Sequence, residues 1–203
     1  MCGFSLFYSS KVCDQEKKLL ISLNNIAHRG PDASGHKVIS LEKDFMVGLA
    51  HARLSIIDIS KRSNQPMKSF CGKYIIVFNG EIYNYLELKK QINTENLRTN
   101  SDTEIFLEFF AKYGTITFSK IRGIFAAAIL DIENNQVFIA RDQLGVKPLY
   151  YFSDSNGFYF SSEIKGLLPF YNQKLEISKP YDFCYFLYLM EQYLDHSKSI
   201  AQK

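Results

Sequence analysis

Met1-Cys2-Gly3-Phe4-Ser5-Leu6-Phe7-Tyr8 opens the chain. Residues 3–8 alternate well enough to form a first strand, which fixes a thiol at a sheet edge. Loss of the initiator methionine, expected when the second residue is as small as cysteine, places that thiol beside a free α-amino group. One residue then carries both a nucleophile and a base. A cysteine of ordinary pKa, near 8.5, is only a few per cent thiolate at neutral pH. An α-amine with a pKa of about 7.7–8.0 can take the thiol proton and later return it to a leaving group. Gly3 leaves the backbone uncrowded, so another segment or a substrate can come close. The plain alternative is that Cys2 is a small buried apolar side chain.

Beyond the first strand, Asp14 is placed to cap a helix with Leu19, Leu20, Leu23 and Ile26 on one side. His28-Arg29-Gly30-Pro31-Asp32 stops it in a turn. Residues 47–50 read as a strand, 54–57 as a second apolar run, and 74–78 as a buried strand leading into Asn79-Gly80-Glu81. Residues 83–91 look helical. A second helix begins at Ser101-Asp102-Thr103-Glu104, which has capping-box form, and Gly114 ends it. Residues 124–131 and 136–140 form one hairpin, and 149–152 and 158–161 another. Ser162 and Glu163 open a short helix that Pro169 ends. High strand content, short connections and few helices predict an α+β domain of antiparallel sheets covered by helices.

Composition narrows the class. The 203 residues suffice for one substantial domain. A net charge of +3 is too small and dispersed for a nucleic-acid partner. Cys2, Cys13, Cys71 and Cys184 show no metal-site spacing, so no metal is expected, and the last three read as structural, reduced thiols. No signal peptide or membrane-length apolar run is present, and a soluble cytoplasmic protein is expected. From residue 172 onward the character changes, and residues 181–194 are strongly aromatic. The expected division is a domain over residues 2–170 and a segment over 171–203 that begins a further, missing C-terminal domain, as in a truncated or split product.

Four positions carry candidate chemistry. The Asn79 amide and the Gly80 backbone N–H would make a pair of oxyanion donors, although Asn-Gly is also a common turn dipeptide. Arg53 lies in Ala50-His51-Ala52-Arg53-Leu54-Ser55-Ile56-Ile57-Asp58 and offers a planar partner for a carboxylate; an ion pair with Asp58 explains it as readily. Asp102 is a cation binder or simply an acid favoured at a helix start. A nucleophile, oxyanion donors, an anion binder and a cation binder together suit a zwitterionic amino acid bearing a side-chain amide, and L-glutamine fits.

The ordered set Met1-Cys2-Gly3-Phe4, His28-Arg29-Gly30-Pro31-Asp32, Arg53-Leu54-Ser55-Ile56-Ile57-Asp58, Asn64-Gln65-Pro66-Met67, Phe78-Asn79-Gly80-Glu81-Ile82-Tyr83-Asn84, Ser101-Asp102-Thr103-Glu104 and Arg141-Asp142-Gln143-Leu144-Gly145-Val146-Lys147-Pro148-Leu149-Tyr150 resembles that of class II glutamine amidotransferases. It is most similar to the glutaminase domain of glutamine-hydrolysing asparagine synthetases, over residues 2–170. The resemblance implies a four-layer αββα N-terminal-nucleophile hydrolase sandwich. It implies Cys2 as nucleophile, Asn79 and Gly80 as oxyanion hole, and Arg53, Leu54, Ser55, Ile56, Ile57, Glu81 and Asp102 as the glutamine-binding set. Residues 28–32 are implied to close over glutamine, and 141–150 to be mainly structural.

The same resemblance implies no cofactor in this chain. ATP and Mg²⁺ belong to a synthetase domain or separate synthetase subunit that receives the ammonia, and a homodimer is a further expectation. Three rivals stay open: the glutaminase domain of another class II enzyme (sugar-acid amidating, glucosamine-phosphate or phosphoribosylamine type), a non-catalytic remnant, and a Cys–His hydrolase using His28 or His51.

Overall fold

Alternation along the first strand sorts its side chains into two cores. The computed structural model describes residues 1–10, 13–42, 44–55 and 58–171. In β1 (Gly3–Ser10), Phe4 and Leu6 are fully buried in one apolar cluster, while Phe7 points the other way, into a cluster with Leu19 and Leu23 of α1 (Gln15–Asn25). The chain continues through β2 (Ala33–Ser40), β3 (Phe45–Arg53), β4 (Met67–Lys68), β5 (Tyr74–Ile82), α2 (Tyr85–Lys89), α3 (Asp102–Tyr113) and α4 (Thr117–Lys120). It ends in β6 (Gly123–Asp131), β7 (Gln136–Arg141), β8 (Tyr150–Asp154), β9 (Gly157–Ser161) and α5 (Ile164–Leu167).

Two antiparallel sheets result, ordered β2-β3-β1-β9-β8 and β4-β5-β6-β7. Their inner faces meet through Phe4, Leu6, Val47 and Leu49 on one side and Ile75, Val77, Ala126, Ala128 and Leu130 on the other. Outside the first sheet lie α1 and α5; outside the second, α3 packs Ile105, Phe106, Phe109 and Phe110 onto Ile76, Phe78, Ile82 and Ile129. This is the four-layer αββα sandwich. Each large apolar side chain removed from water contributes about 1.5–3 kcal/mol, against about 1 kcal/mol net for a hydrogen bond. The inter-sheet layer therefore holds the two sheets face to face.

Several sequence expectations change. β1 is the central strand of five, so Cys2 lies at a strand's end and not at a sheet edge. Asn79-Gly80-Glu81 is no turn: β5 runs straight through it, with Asn79 opposite Ala126 and Gly80 opposite Phe125. The capping box is half formed. The Ser101 hydroxyl accepts from the Glu104 amide at 3.2 Å, but the Glu104 carboxylate turns to Arg98 and Thr99. Asp14 takes left-handed backbone angles and makes no side-chain cap, and Leu20 is exposed. Pro169 sits within a 3-10 turn after α5. β2, β4 and α4 are additions to the sequence reading. The division at residue 170 has no counterpart to compare, because 172–203, with the aromatic stretch 181–194 and Cys184, lie outside the described residues.

Candidate active site

The pleat that buries Phe4 and Leu6 also turns Cys2 toward the second sheet, because positions 2, 4 and 6 share a face. By the same rule Arg53 follows Val47, Leu49 and His51 on the inner face of β3, and Asn79 and Glu81 follow Ile75 and Val77 on the inner face of β5. The β1–β3 register pairs Gly3 with Ala52, so Cys2 and Arg53 come to the same end. Cys2, Arg53, Leu54, Asn79, Gly80, Glu81 and Asp102 all line one cleft, a cavity of ≈ 150 Å³.

The nucleophile is held by main chain. Leu54 N–H donates to Cys2 Sγ at 3.3 Å, and Sγ lies 3.5 Å from the Leu54 carbonyl oxygen. Behind the thiol, Arg29 Nε donates to the Cys2 carbonyl at 2.9 Å, and Arg29 Nη1 is paired with Glu163 at 3.0 Å. Gly3 is the residue that permits this, since a Cβ there would fall 2.8 Å from Arg29 Cδ. Met1 lines the mouth of the cleft, 61% exposed, and the α-amine here belongs to Met1.

Across the cleft, β4 pairs only with Ile75 and Ile76, which leaves the rest of that edge of β5 without a neighbouring strand among the described residues. Side chains take its place. Phe78 N–H donates to Gln65 Oε1 at 2.6 Å, and Ile82 N–H to Asp102 Oδ2 at 2.9 Å. Gly80 N–H, on the same edge by alternation, lies between them at the cleft. A Cβ on Gly80 would fall 2.3 Å from the Ile124 carbonyl oxygen, so only glycine fits there. Asn79 is buried, and its Nδ2 has no hydrogen-bond partner among the described residues.

Arg53 is buried but has no carboxylate partner among the described residues. Its guanidinium donates to the carbonyls of Ser60, at 2.8 Å, and Asp58, and to Asn64 Oδ1 at 2.7 Å. The alternative reading, an ion pair with the Asp58 carboxylate, is not what the structure shows: Arg53 contacts the main chain of Asp58. That carboxylate instead accepts from the Asn100 and Ser60 amides, and the Asn100 amide leads in holding its pKa down to about 2. Burial pushes the Asp102 carboxyl up, opposed by the Ile82 and Thr103 amides, with Glu81 adding to the rise.

Ser55 is not a lining residue; its amide is turned to Asp32 Oδ2 at 2.7 Å. Ile56 and Ile57 lie outside the described residues. No residue of 28–32 lines the cleft: Arg29 grips Cys2, Asp32 N–H donates to the Arg53 carbonyl, and the segment is fastened down where a closing loop was expected. The sequence reading missed Gln65, Ser63, Thr103 and Lys147 as lining residues. Lys147 is delivered by a turn whose amides bond to Asp142; the charged pair Asp142 and Lys147 within 141–150 was the available signal. His51 is fully buried, its Nε2 3.0 Å from the Phe78 carbonyl, and burial leads in lowering its pKa to about 4. Among the described residues no group of three or more His, Cys, Asp or Glu is arranged to hold a metal ion.

An αββα sandwich with a thiol at the head of a central strand and amide donors facing it has the architecture of the N-terminal-nucleophile hydrolase fold. Residues 1–202 match the glutamine amidotransferase domain family, and the chain belongs to it. It is 38% identical over 185 residues to asparagine synthetase [glutamine-hydrolyzing] 1 of Bacillus subtilis, covering 88% of this chain and 28% of that protein. It is 39% identical over 182 residues to the amidase chry2 of Gibberella zeae, covering 84% and 27%. The chain thus spans under a third of the length of these relatives. The glutamine phosphoribosylpyrophosphate amidotransferase of B. subtilis shares the fold, with a TM-score of 0.65 at 17% identity over 82% of this chain and 43% of that one.

Proposed function

We propose that this chain hydrolyses L-glutamine to glutamate and ammonia, with Cys2 as nucleophile once Met1 is removed. The observation that carries the reading is the buried Nδ2 of Asn79, without a partner among the described residues and lining the same cleft as the Cys2 thiol. A buried donor left unpaired costs about 1–3 kcal/mol, and an oxyanion formed on attack by Cys2 would satisfy it.

The Cys2 α-amine takes the thiol proton as Sγ bonds to the side-chain amide carbon. The amide oxygen becomes an oxyanion held by Asn79 Nδ2–H and Gly80 N–H. The proton passes to the amide nitrogen as the C–N bond breaks, so ammonia leaves and a γ-glutamyl thioester remains. Water, deprotonated by the amine, adds to the thioester; collapse expels the sulfur, which regains the proton, and glutamate is released. Arg53, already oriented by three acceptors, binds the α-carboxylate, while Glu81 and Asp102 bind the α-ammonium. His51 does not serve as base in this scheme: it is absent from the cleft lining, and its Nε2 is committed to Phe78.

The ammonia is proposed to pass to a synthetase domain or subunit that amidates an ATP-activated carboxylate, aspartate in the asparagine synthetase reading. Two relatives of nearly equal identity with different names keep other acceptors in play. ATP and Mg²⁺ are assigned to that synthetase part, and no step above runs through them. A cytoplasmic location is supported by the free thiols of Cys2, Cys13 and Cys71. No helix among the described residues is long and apolar enough to cross a membrane.

Intact mass spectrometry after treatment with diazo-oxonorleucine tests the mechanism. The expected product lacks Met1 and carries one adduct, on Cys2. Active protein that retains Met1, or an adduct on another residue, overturns it.

A further inference from the structure

The thiol and the oxyanion donors sit on different sheets, so their separation depends on what ties β3 and β1 to β5 at this end. The apolar layer stops short of the cleft. His51 lies two residues before Arg53 on β3, opposite Phe4 of β1, and reaches across the layer to the Phe78 carbonyl at 3.0 Å. That carbonyl belongs to the peptide group joining Phe78 to Asn79. It lies on the edge of β5 that β4 does not reach, where an unbonded peptide would be free to tilt.

We propose that His51 is a positioning residue for the oxyanion hole, its cross-sheet hydrogen bond to Phe78 setting the distance between Cys2 and the donors of Asn79 and Gly80. This rests on the glutaminase reading.

The chemistry of the imidazole supports the assignment. A carbonyl only accepts, so Nε2 must carry the proton and Nδ1 is left as a bare acceptor. Nδ1 is buried with no partner among the described residues, a cost an aliphatic side chain would avoid. Gln65 complements the device: its side chain holds the amide of Phe78 while His51 holds the carbonyl. The residue preceding Asn79 is thus fixed at both polar groups. Neither partner touches the reacting atoms in the scheme above, and His51 acts only through the strand.

The test uses the Met1-processed full chain as wild type, His51→Leu, His51→Gln and His51→Asn. Glutamine turnover is measured beside binding of glutamate γ-semialdehyde, whose aldehyde adds to Cys2 as a tetrahedral thiohemiacetal, and of glutamate, which needs no oxyanion hole. Loss of one oxyanion donor or a misplacement of about 1 Å costs on the order of 10²-fold. His51→Leu should therefore lower kcat and aldehyde affinity by about 10²-fold, leaving KM and glutamate affinity within about threefold. His51→Gln, whose amide N–H can reach the Phe78 carbonyl, should recover most of the loss, and the shorter His51→Asn should not. If His51→Leu does not fold, the Gln and Asn pair decides. Wild-type kcat and aldehyde affinity in the Leu variant, or equal behaviour of Gln and Asn, overturns the positioning role alone. A wild-type chain that neither turns over glutamine nor captures the aldehyde overturns the glutaminase reading and this proposal together.

Discussion

The main chain of Leu54 grips the Cys2 thiol with both its polar groups, the amide at 3.3 Å and the carbonyl at 3.5 Å. Leu54 directly follows Arg53, so the nucleophile and the proposed carboxylate binder hang from consecutive residues at the end of β3. The spacing between attacking sulfur and bound α-carboxylate is then a property of one peptide unit.

Arg53→Lys tests that arrangement. The three acceptors around the guanidinium, from Ser60, Asp58 and Asn64, fit a planar fork and not a point charge. Losing one or two charge-assisted hydrogen bonds at about 1.5–3 kcal/mol each predicts a rise of about 10- to 100-fold or more in KM for glutamine. kcat should fall less. Steady-state kinetics separates the two, and an unchanged KM would remove Arg53 from substrate binding.

Asn79→Ala removes a donor that nothing among the described residues uses. The expected loss is about 10²–10³ in kcat with KM nearly constant, as for other oxyanion-hole deletions. Because no existing hydrogen bond breaks, the thermal midpoint should move little. A large stability loss with unchanged kcat would make Asn79 a structural residue.

Gly80→Ala should fail at the level of the fold. The added Cβ would sit 2.3 Å from the Ile124 carbonyl oxygen and 2.5 Å from Phe125 Cβ, in the backbone and core of the adjoining strand. Overpacking of this kind costs about 1–3 kcal/mol or more, and thermal denaturation of the purified variant measures it. A variant as stable as wild type would show that β5 and β6 separate more easily than their pairing suggests.

His51 also predicts a pH dependence of stability. Its folded pKa of about 4 lies below the ordinary 6.5, so between these values the unfolded chain binds the extra proton and stability falls as pH falls. The loss begins near pH 6.5, is complete near pH 4, and amounts to about 3 kcal/mol for a group this buried. Asp58, held down to about 2, also loses stability with falling pH, but only below the ordinary carboxylate range. Urea midpoints at pH 7.5, 5.5 and 4.5 should decline in wild type and flatten in His51→Gln; parallel curves would assign the decline to other groups.

The parts of this fold legible in sequence are those where one pattern dominates. The hairpins 124–140 and 149–161 were marked by apolar runs around polar turns, and α3 by Ser101 and Gly114. β2 was hidden because Ala33-Ser34-Gly35-His36-Lys37-Val38-Ile39-Ser40 is a mostly exposed edge strand with little to bury. The Asn-Gly pair at 79–80 favours a turn locally, yet pairing with β6 along its whole length keeps it extended. Within the site, the motif residues Cys2, Arg53, Asn79, Gly80, Glu81 and Asp102 do converge on one cleft. What no local pattern could reveal were the supports. Gln65, His51 and Arg29 act over sequence separations of 13, 27 and 27 residues.

β4 is only two residues long, and the chain does not take the longer pairing that its register offers. Continuing the Met67–Ile76 register backward would set Gln65 opposite Phe78 and Ser63 opposite Gly80. Instead a 3-10 turn at Lys61–Ser63 carries the chain away, and Gln65 reaches Phe78 with its side chain. A longer β4 would consume Gly80 N–H in an ordinary rung of the sheet, giving a more complete protein and an inert one. Activity and sheet completion compete here for a single amide, so insertions around residues 60–66 could silence the enzyme while every motif residue stays in place.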